Sequence, residues 1–391
     1  MGDTWGRLAT RVLGSSDNGV PVLQSKEARR RRVLMPLFIL AVIALLVWLM
    51  LPGRGQSGIT GSGSTLAQPL IQQAARDYRD AAAADNPERV KQTGRDWVLN
   101  GSGIDYEAIG SLGGILRLSD PEVDFAIADY PLTAAALSEK RVEQFPIAVG
   151  AIAIVANLDL PQGTALRLDA PTLADIFRGA VTSWQDPAIT AANPGLELPD
   201  APITSVHRTD GSGSTLGLTT WLSDHSADFR SAPGAGQSLT WPAGTGAERS
   251  SGMISTLQQT AGSIGYVELG QAIRAGLRPV AVAAQGDDFV TPSSVSMSAA
   301  VAGAHWSAER GYVDGVAMAE DPSAYPLTVP IYALVRAEDG AERERERALR
   351  FLRFIVDDYD GQAEDLGYLP LPETGATAVK DHWHATWGIS L

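Results

Sequence analysis

The hexapeptide GSGSTL occupies residues 61–66 and returns unchanged at residues 211–216, 150 positions later. Each copy is followed by a segment with helical periodicity, and a strand is expected before it. That is the pattern of a strand, a tight turn and a helix. Two such units predict an α/β protein in which both turns serve a related purpose.

The residues around each turn support this interpretation. After the first copy, apolar or aromatic residues recur every four positions, at Leu66, Leu70, Ala74 and Tyr78. A helix with one apolar face is therefore predicted there, capped by Ser64 or Thr65. Before the second copy, residues 203–206 (ITSV) are typical of a buried strand, and a second helix is predicted after Ser214.

A turn of this kind can bind an anion. The first turn of a helix has backbone N–H groups without partners and a partial positive charge, and glycine lets the backbone approach a ligand closely. Serine and threonine hydroxyls add neutral donors, so no excess of lysine is needed. For either copy alone, a capped helix after a glycine turn is the simpler interpretation.

Four further polar residues favour the anion hypothesis. Arg208 and Asp210 directly precede the second copy. The arginine offers a planar fork of donors suited to an oxyanion, and the aspartate can orient that fork. Ser111 lies at another strand-to-turn junction, and Asp129 ends an apolar strand. An aspartate at a strand end is also a common cap or turn former, so Asp129 has a purely structural alternative.

Composition narrows the remaining classes of protein. With 391 residues, 45% of them hydrophobic, the chain exceeds the length that one core usually spans, so at least two lobes are expected. Cysteine is absent. This excludes disulfides, thiolate zinc sites, a catalytic cysteine and a lipid-modified amino-terminal cysteine.

Residues 33–51 predict a membrane anchor. They form a run of 19 residues without a charge, about 28 Å long as a helix. Residues 29–32 are all arginine, which places the amino terminus in the cytoplasm and everything after residue 51 outside. A cleaved signal peptide is the alternative, but the run is long for one and no A-x-A site follows it.

The portion beyond the anchor is strongly acidic. Residues 1–58 hold eight of the 31 Lys and Arg and three of the 45 Asp and Glu, so residues 59–391 have a formal net charge of −19. Nucleic acid and anionic lipid are bound mainly through Lys and Arg. Nucleic-acid binding is therefore not expected.

Six segments follow one another along the chain: GSGSTLAQPL, DYEAIGSLGG, VDFAIADYPL, QFPIAVGAIAIVAN, HRTDGSGST and GSIGYVEL. Together they resemble the phosphate-binding proteins of bacterial phosphate-specific ABC importers, from residue 59 to the carboxyl terminus. The resemblance implies a two-lobed α/β periplasmic-binding-protein fold, type II-like, with a two-strand hinge. It also implies inorganic phosphate as the ligand and the permease subunits of an ABC importer as partners.

The resemblance further implies which residues contact phosphate. The first lobe would contribute Ser64, Thr65, Leu66, Ser111 and Asp129, and the second lobe Arg208, Asp210, Ser212, Gly213 and Ser214. Members of the family usually have alanine at the position of Ser64 and threonine at that of Ser214. Residues 84–103 are extra sequence relative to the family and are expected to form a surface loop. Ser102 lies there in a Gly-Ser-Gly stretch similar to the start of GSGSTL, but it is not expected to bind the ligand.

The predicted organisation follows the chain. Its segments are a cytoplasmic tail (1–32), an anchor (33–51), a linker (52–58), a first lobe (59–149 with 326–391) and a second lobe (150–325). The folded part is expected on the periplasmic or extracellular side of the cytoplasmic membrane. Hinge closure around a ligand is the expected motion.

An enzyme is not expected, because the common nucleophile-elbow, phosphate-loop and zinc-helix motifs are missing from the sequence. No cofactor is expected either. His382 and His384 form an H-x-H pair that is expected to be two exposed side chains and not a metal site. A membrane-anchored phosphate sensor remains the alternative function, and a phosphatase on the same fold is a weaker one.

Overall fold

A computed structural model describes residues 58–85, 104–284, 288–312 and 321–388. The predicted tail and anchor, the linker up to residue 57, and Ser102 lie outside the described residues. Among the residues described, no helix is long and apolar enough to cross a membrane.

Strands and helices alternate along most of the described chain, so the predicted α/β class is confirmed. The strands are β1 (Ile59–Gly63), β2 (Ile104–Ala108), β3 (Phe125–Ala128), β4 (Val142–Ala156), β5 (Arg167–Leu168), β6 (Thr204–Arg208), β7 (Thr245–Ala247), β8 (Ser263–Glu268), β9 (Arg278–Pro279), β10 (Ala281–Ala283), β11 (Phe289–Val290) and β12 (Thr328–Arg336). The helices are α1 (Gln68–Asp85), α2 (Ser111–Arg117), α3 (Ala134–Lys140), α4 (Ala170–Arg178), α5 (Pro187–Ala192), α6 (Gly213–His225), α7 (Ala227–Ser231), α8 (Arg249–Gln259), α9 (Leu269–Arg274), α10 (Ser294–Val301), α11 (Glu342–Asp357), α12 (Asp360–Asp365) and α13 (Glu373–Trp387). A short 3-10 helix covers Ala308–Arg310.

One long strand, β4, joins the two halves of the main sheet. Residues 142–151 of β4 pair antiparallel with β12, and residues 152–156 pair antiparallel with β8. The order of the sheet is β2-β1-β3-β12-β4-β8-β6-β7, with β9 also paired to β4. Strands β11, β10 and β5 form a separate small sheet. We call the part of the sheet on the β12 side of β4 the first lobe and the part on the β8 side the second lobe.

Parallel pairing brings the predicted turns to the same edge within each lobe. In the first lobe β1 pairs parallel with both β2 and β3, and in the second β6 pairs parallel with β7 and β8. Carboxyl ends of parallel strands lie at one edge of a sheet, where ligands of open α/β sheets bind. The first copy of GSGSTL runs through the end of β1 at Gly63, and the second begins three residues after the end of β6 at Arg208.

The predicted apolar face of α1 packs into the core. Leu66, Leu70 and Ala74 are buried, and the Tyr78 ring lies 5.7 Å and 5.3 Å from the rings of Phe351 and Phe354, measured between centroids. These two phenylalanines belong to α11, so the carboxyl-terminal part of the chain completes the core of the first lobe. The helix itself begins at Gln68, a few residues after the turn.

The expectation for the histidine pair was wrong for one of its members. His384 is exposed, but the His382 side chain is only 16% exposed and its Nε2 lies 3.3 Å from Glu143 Oε2 on β4. Residues two apart on a helix point to different faces, so α13 turns one histidine inward and the other outward. No group of three or more potential ligands in the described chain is arranged to hold a metal ion.

Candidate functional site

The first GSGSTL turn is fixed to strand β3 by its backbone. Gly63 has φ 137°, and a Cβ there would collide with the backbone of Ile127, so only glycine fits. The N–H of Ser64 donates to the Ile127 carbonyl at 2.8 Å. Ser64 Oγ accepts from the N–H groups of Leu66 and Ala67 at 3.1 and 3.2 Å. Ser64 is thus the capping residue, as the sequence allowed, and Thr65 is left to face the other lobe.

Asp129 follows strand β3 and is held by hydroxyl groups. The Ser111 hydroxyl donates to Asp129 Oδ1 and accepts from the Asp129 N–H at 3.3 Å. Ser214, from the second lobe, donates to Asp129 Oδ2 at 2.9 Å. Within the described chain this carboxylate accepts from no backbone N–H group. Its geometry is therefore not that of a helix cap.

The second GSGSTL turn begins helix α6 at Gly213. Ser212 is the N-cap, with its Oγ accepting from the Thr215 N–H at 3.3 Å, so the helix begins two residues earlier than the predicted start after Ser214. The N–H groups of Gly213 and Ser214 have no partner among the described residues. A Cβ on Gly213 would collide with Asp129 Oδ1, so glycine allows the two lobes to meet here.

Arg208 ends strand β6 and is 4% exposed. Its Nε donates to Asp210 Oδ1 at 2.7 Å, its Nη2 donates to Asp210 Oδ2, and its Nη1 donates to Thr65 Oγ1 in the first lobe at 3.0 Å. A guanidinium group carries five N–H bonds. Two of them, one on each terminal nitrogen, have no partner in the described chain and can donate to an oxyanion.

The Asp210 carboxylate beside Arg208 remains ionised near neutral pH. Burial alone would raise the pKa of Asp210, but the hydrogen bonds and the charge of Arg208 outweigh burial and lower that pKa below its usual value. The Arg249 N–H, which donates to Asp210 Oδ1 at 2.9 Å, acts in the same direction. Asp210 is therefore a fixed counter-charge for Arg208 and orients its fork.

Two tyrosines with uncharged hydroxyl groups support the turns. Burial, followed by the negative charge of Asp129, raises the pKa of Tyr106 well above its usual value. Burial raises the pKa of Tyr266 to about 12. The Tyr106 hydroxyl donates to the Ser64 carbonyl at 2.8 Å, and the Tyr266 hydroxyl accepts from the Arg208 N–H at 3.1 Å. Both phenols thus stay protonated and carry no charge into the site.

All ten residues predicted from the sequence lie in one cluster where the lobes meet. The members are Ser64, Thr65, Leu66, Ser111, Asp129, Arg208, Asp210, Ser212, Gly213 and Ser214. Among these ten residues, Thr65 contacts Arg208 and Ser214 contacts Asp129 across the two lobes. The cluster contains one guanidinium group, two carboxylates, several hydroxyls and unpaired backbone N–H groups, a set that can surround a protonated oxyanion.

Sequence reasoning missed two side chains that also cross between the lobes. Ser250 Oγ donates to Thr65 Oγ1 at 2.9 Å, and Gln271 Nε2 donates to the Thr65 carbonyl at 2.9 Å. Neither residue belongs to the six quoted segments or follows a strand directly in the sequence. Their partners lie 185 and 206 positions away, so no local pattern indicates the contacts.

Comparison with known proteins gives a consistent picture. A family model described as a PBP superfamily domain matches residues 51–359. The phosphate-binding protein PstS of Xylella fastidiosa (strain 9a5c) is 36% identical over 325 residues, which cover 83% of this chain and 84% of that protein. PstS of Haemophilus influenzae is 31% identical over 335 residues, which cover 85% and 94%.

A solved structure has the same fold. It is a putative phosphate ABC transporter substrate-binding protein with bound phosphate from Clostridium perfringens. The match has a TM-score of 0.52 and 18% sequence identity, and it covers 81% of this chain and 100% of that one. At this identity the likeness concerns the fold alone.

Proposed function

This chain belongs to the PBP superfamily, and on that premise we propose that it binds inorganic phosphate between its two lobes and delivers it to the permease of an ABC importer. The two curated PstS relatives are named for phosphate binding. The observation that carries the proposal is the pair of contacts between lobes, Thr65 with Arg208 and Ser214 with Asp129. Each contact unites one GSGSTL turn with a charged residue of the opposite lobe.

Phosphate suits this set of groups better than sulfate does. Arg208, the hydroxyls and the unpaired N–H groups of Gly213 and Ser214 are donors for oxygen atoms that carry no proton. Asp129 is buried and is an acceptor. Near neutral pH phosphate still bears a proton that Asp129 can accept, whereas sulfate bears none and meets only repulsion.

The roles of the ten residues follow from this arrangement. Arg208 forms charged hydrogen bonds to phosphate, Asp210 orients it, and Asp129 accepts the phosphate proton. Thr65 and Ser212 supply hydroxyl donors, and Gly213 and Ser214 supply backbone N–H donors. The hydroxyl groups of Ser111 and Ser214 hold Asp129, while Ser64 and Leu66 shape the turn, because Ser64 Oγ accepts from the Leu66 N–H.

The two lobes correspond to residues 59–149 with 326–391 and to residues 150–325, in a type II-like arrangement. The change of partner along β4, from β12 at residue 151 to β8 at residue 152, supports a hinge at this point. The chain crosses back from the second lobe to the first near Leu327. This second crossing is supported by the Leu327 carbonyl, which accepts from the Ile152 N–H at 2.9 Å. Opening at this hinge would separate Thr65 from Arg208 and Ser214 from Asp129.

The amino-terminal sequence supports an anchored protein. Residues 33–51, with four arginines directly before them, would hold the binding domain at the outer face of the cytoplasmic membrane. The same anchor and the 32-residue tail favour one alternative function, in which the protein reports phosphate occupancy to the cytoplasm. Deletion of the tail separates the two functions, because transport then persists while signalling is lost.

Titration calorimetry of the purified full-length chain in a nonionic detergent tests the ligand. We expect tight binding of phosphate, competition by arsenate, and at least about a hundredfold weaker binding of sulfate and molybdate. Equal affinity for sulfate and phosphate would contradict the proposed function. Release of product from a phosphate ester by the same preparation would contradict a role limited to binding.

A further inference from the structure

We propose that Ser250 is a positioning residue for phosphate, which holds the Thr65 hydroxyl so that its hydrogen must be donated to the ligand. The inference rests on the proposed function and adds to it a second layer of selectivity, between the two protonation states of phosphate. Ser250 itself contacts Thr65 and acts on the ligand only through that residue.

A contact with the binding site fixes the position of Ser250. It is the second residue of α8 and is 4% exposed. The preceding residue, Arg249, has φ 60°, a left-handed conformation that is rare for residues other than glycine. The Arg249 N–H donates to Asp210 Oδ1 at 2.9 Å, so the carboxylate that orients Arg208 also fixes the start of α8. Ser250 is thereby held against the first lobe.

The Thr65 hydroxyl is the meeting point of two donors from the second lobe. Arg208 Nη1 donates to Thr65 Oγ1 at 3.0 Å, and Ser250 Oγ donates to the same atom at 2.9 Å. A hydroxyl group has two lone pairs and one hydrogen. Both lone pairs are therefore occupied, and the described chain offers the hydrogen no acceptor. The hydrogen is left for a ligand oxygen.

This arrangement fixes the direction of two hydrogen bonds to the ligand. Thr65 can only donate, so it requires a phosphate oxygen without a proton, while the buried Asp129 carboxylate requires one with a proton. The site then favours phosphate with a single proton over phosphate with two. Without Ser250, one lone pair of Thr65 becomes free, and the hydroxyl can accept from a second phosphate proton.

Several charged groups face Thr65 and Ser250 and also influence any dependence on pH. They are Arg208 at the end of β6 and Asp210 after it, Arg249 and Glu248 at the start of α8, Asp129 beyond β3, and Glu268, which caps α9 beside Gln271 and whose pKa burial raises to about 8. The proposed variants leave all six unchanged. A comparison between variants at each pH therefore isolates the contribution of the Thr65 hydroxyl.

The experiment measures the phosphate affinity of the full-length chain at about pH 5.5 and about pH 8, which lie on either side of the second ionisation of inorganic phosphate. We expect Ser250→Ala to weaken binding about fivefold at the higher pH and less than about twofold at the lower pH. In a Thr65→Val background the same change should have less than about a twofold effect at either pH. Ser251→Ala is the matched control, because Ser251 is the next residue and is exposed.

An equal loss at both pH values overturns the proposal, because a hydroxyl that only holds the lobes together would act alike on both forms of phosphate. A fivefold loss that persists in the Thr65→Val background overturns it too. Binding by Ser250→Thr close to that of the wild type supports it. Failure of the wild-type chain to bind phosphate at either pH is a different result, since that outcome overturns the proposed function itself.

Discussion

The two copies of GSGSTL have the same six residues and different structures. In the first copy the fourth residue, Ser64, caps the turn and the fifth, Thr65, contacts the opposite lobe. In the second copy the second residue, Ser212, is the cap and the fourth, Ser214, contacts the opposite lobe. The motif therefore supplies a set of small hydroxyl residues, and the surroundings assign each one its task.

The partners across the lobes explain the difference. The first turn faces a guanidinium group, Arg208, which needs an acceptor, and the second faces a carboxylate, Asp129, which needs a donor. In the second copy the fifth residue, Thr215, is turned into its own lobe, where its hydroxyl lies 2.7 Å from the Tyr266 hydroxyl. Identical sequences thus provide opposite halves of one site.

The largest expected loss of phosphate affinity comes from removing Arg208, which contacts the first copy. Arg208→Ala deletes two free N–H donors and leaves the partly buried Asp210 without its counter-charge. We expect phosphate affinity to fall about ten- to a hundredfold, as calorimetry of the full-length chain can measure. Arg230→Ala, an exposed arginine in the same lobe, serves as the control. Unchanged affinity in the first variant would remove Arg208 from the site.

A glycine substitution in each copy should separate binding from stability. Gly213→Ala places a methyl group against Asp129 of the other lobe, so we expect about five- to a hundredfold weaker phosphate binding without loss of thermal stability in the unliganded protein. Gly63→Ala meets the backbone of Ile127 in its own lobe at φ 137°. It should lower the free energy of unfolding by about 1–3 kcal/mol.

The two measurements are phosphate titration and thermal unfolding without ligand. If Gly213→Ala binds like the wild type, the lobes do not meet at Asp129 in the bound state. If both variants lose stability equally, the two glycines have the same role and the contrast between the copies is lost.

A smaller effect is expected at Asp129, which contacts the second copy, on the selectivity for phosphate over sulfate. Asp129→Asn removes the negative charge and replaces one carboxylate oxygen by an N–H donor, so sulfate loses its repulsion while phosphate keeps only a neutral carbonyl acceptor. We expect the ratio of sulfate to phosphate dissociation constants to shrink about tenfold in competition against labelled phosphate. Asp105→Asn, on the exposed side of β2, should leave the ratio unaltered. Full discrimination by Asp129→Asn would mean that another group selects phosphate.

The smallest expected effect compares the second residue of each copy. Ser212 caps α6, so Ser212→Ala should lower the free energy of unfolding by about 1 kcal/mol. Ser62 donates only a long bond of 3.4 Å to the Gly114 carbonyl, and Ser62→Ala should cost less than about 0.5 kcal/mol. Denaturant unfolding of both variants without phosphate provides the measurement. The reverse ranking would show that the first copy is capped at Ser62.

Much of the fold was predictable because its signals are local. The strand, turn and helix at residues 59–78 and the strand before Arg208 have periodic apolar residues and glycine turns that indicate each element without its neighbours. The acidic composition and the uncharged run at residues 33–51 are equally direct properties of the sequence. The inward position of His382 was missed, because it depends on how α13 packs against β4.

By itself the sequence determined the two hydroxyl-rich turns, the charged residues beside them and the α/β class, since helix capping and strand periodicity act over a few residues. Only the tertiary structure decided which hydroxyl of each copy caps a helix and which one reaches the opposite lobe. Only the tertiary structure brought Ser250 to Thr65, 185 positions earlier in the chain. The physical reason is that a hydrogen bond depends on distance and direction in space, which are set by the pairing of β4 with both halves of the sheet and not by position along the chain.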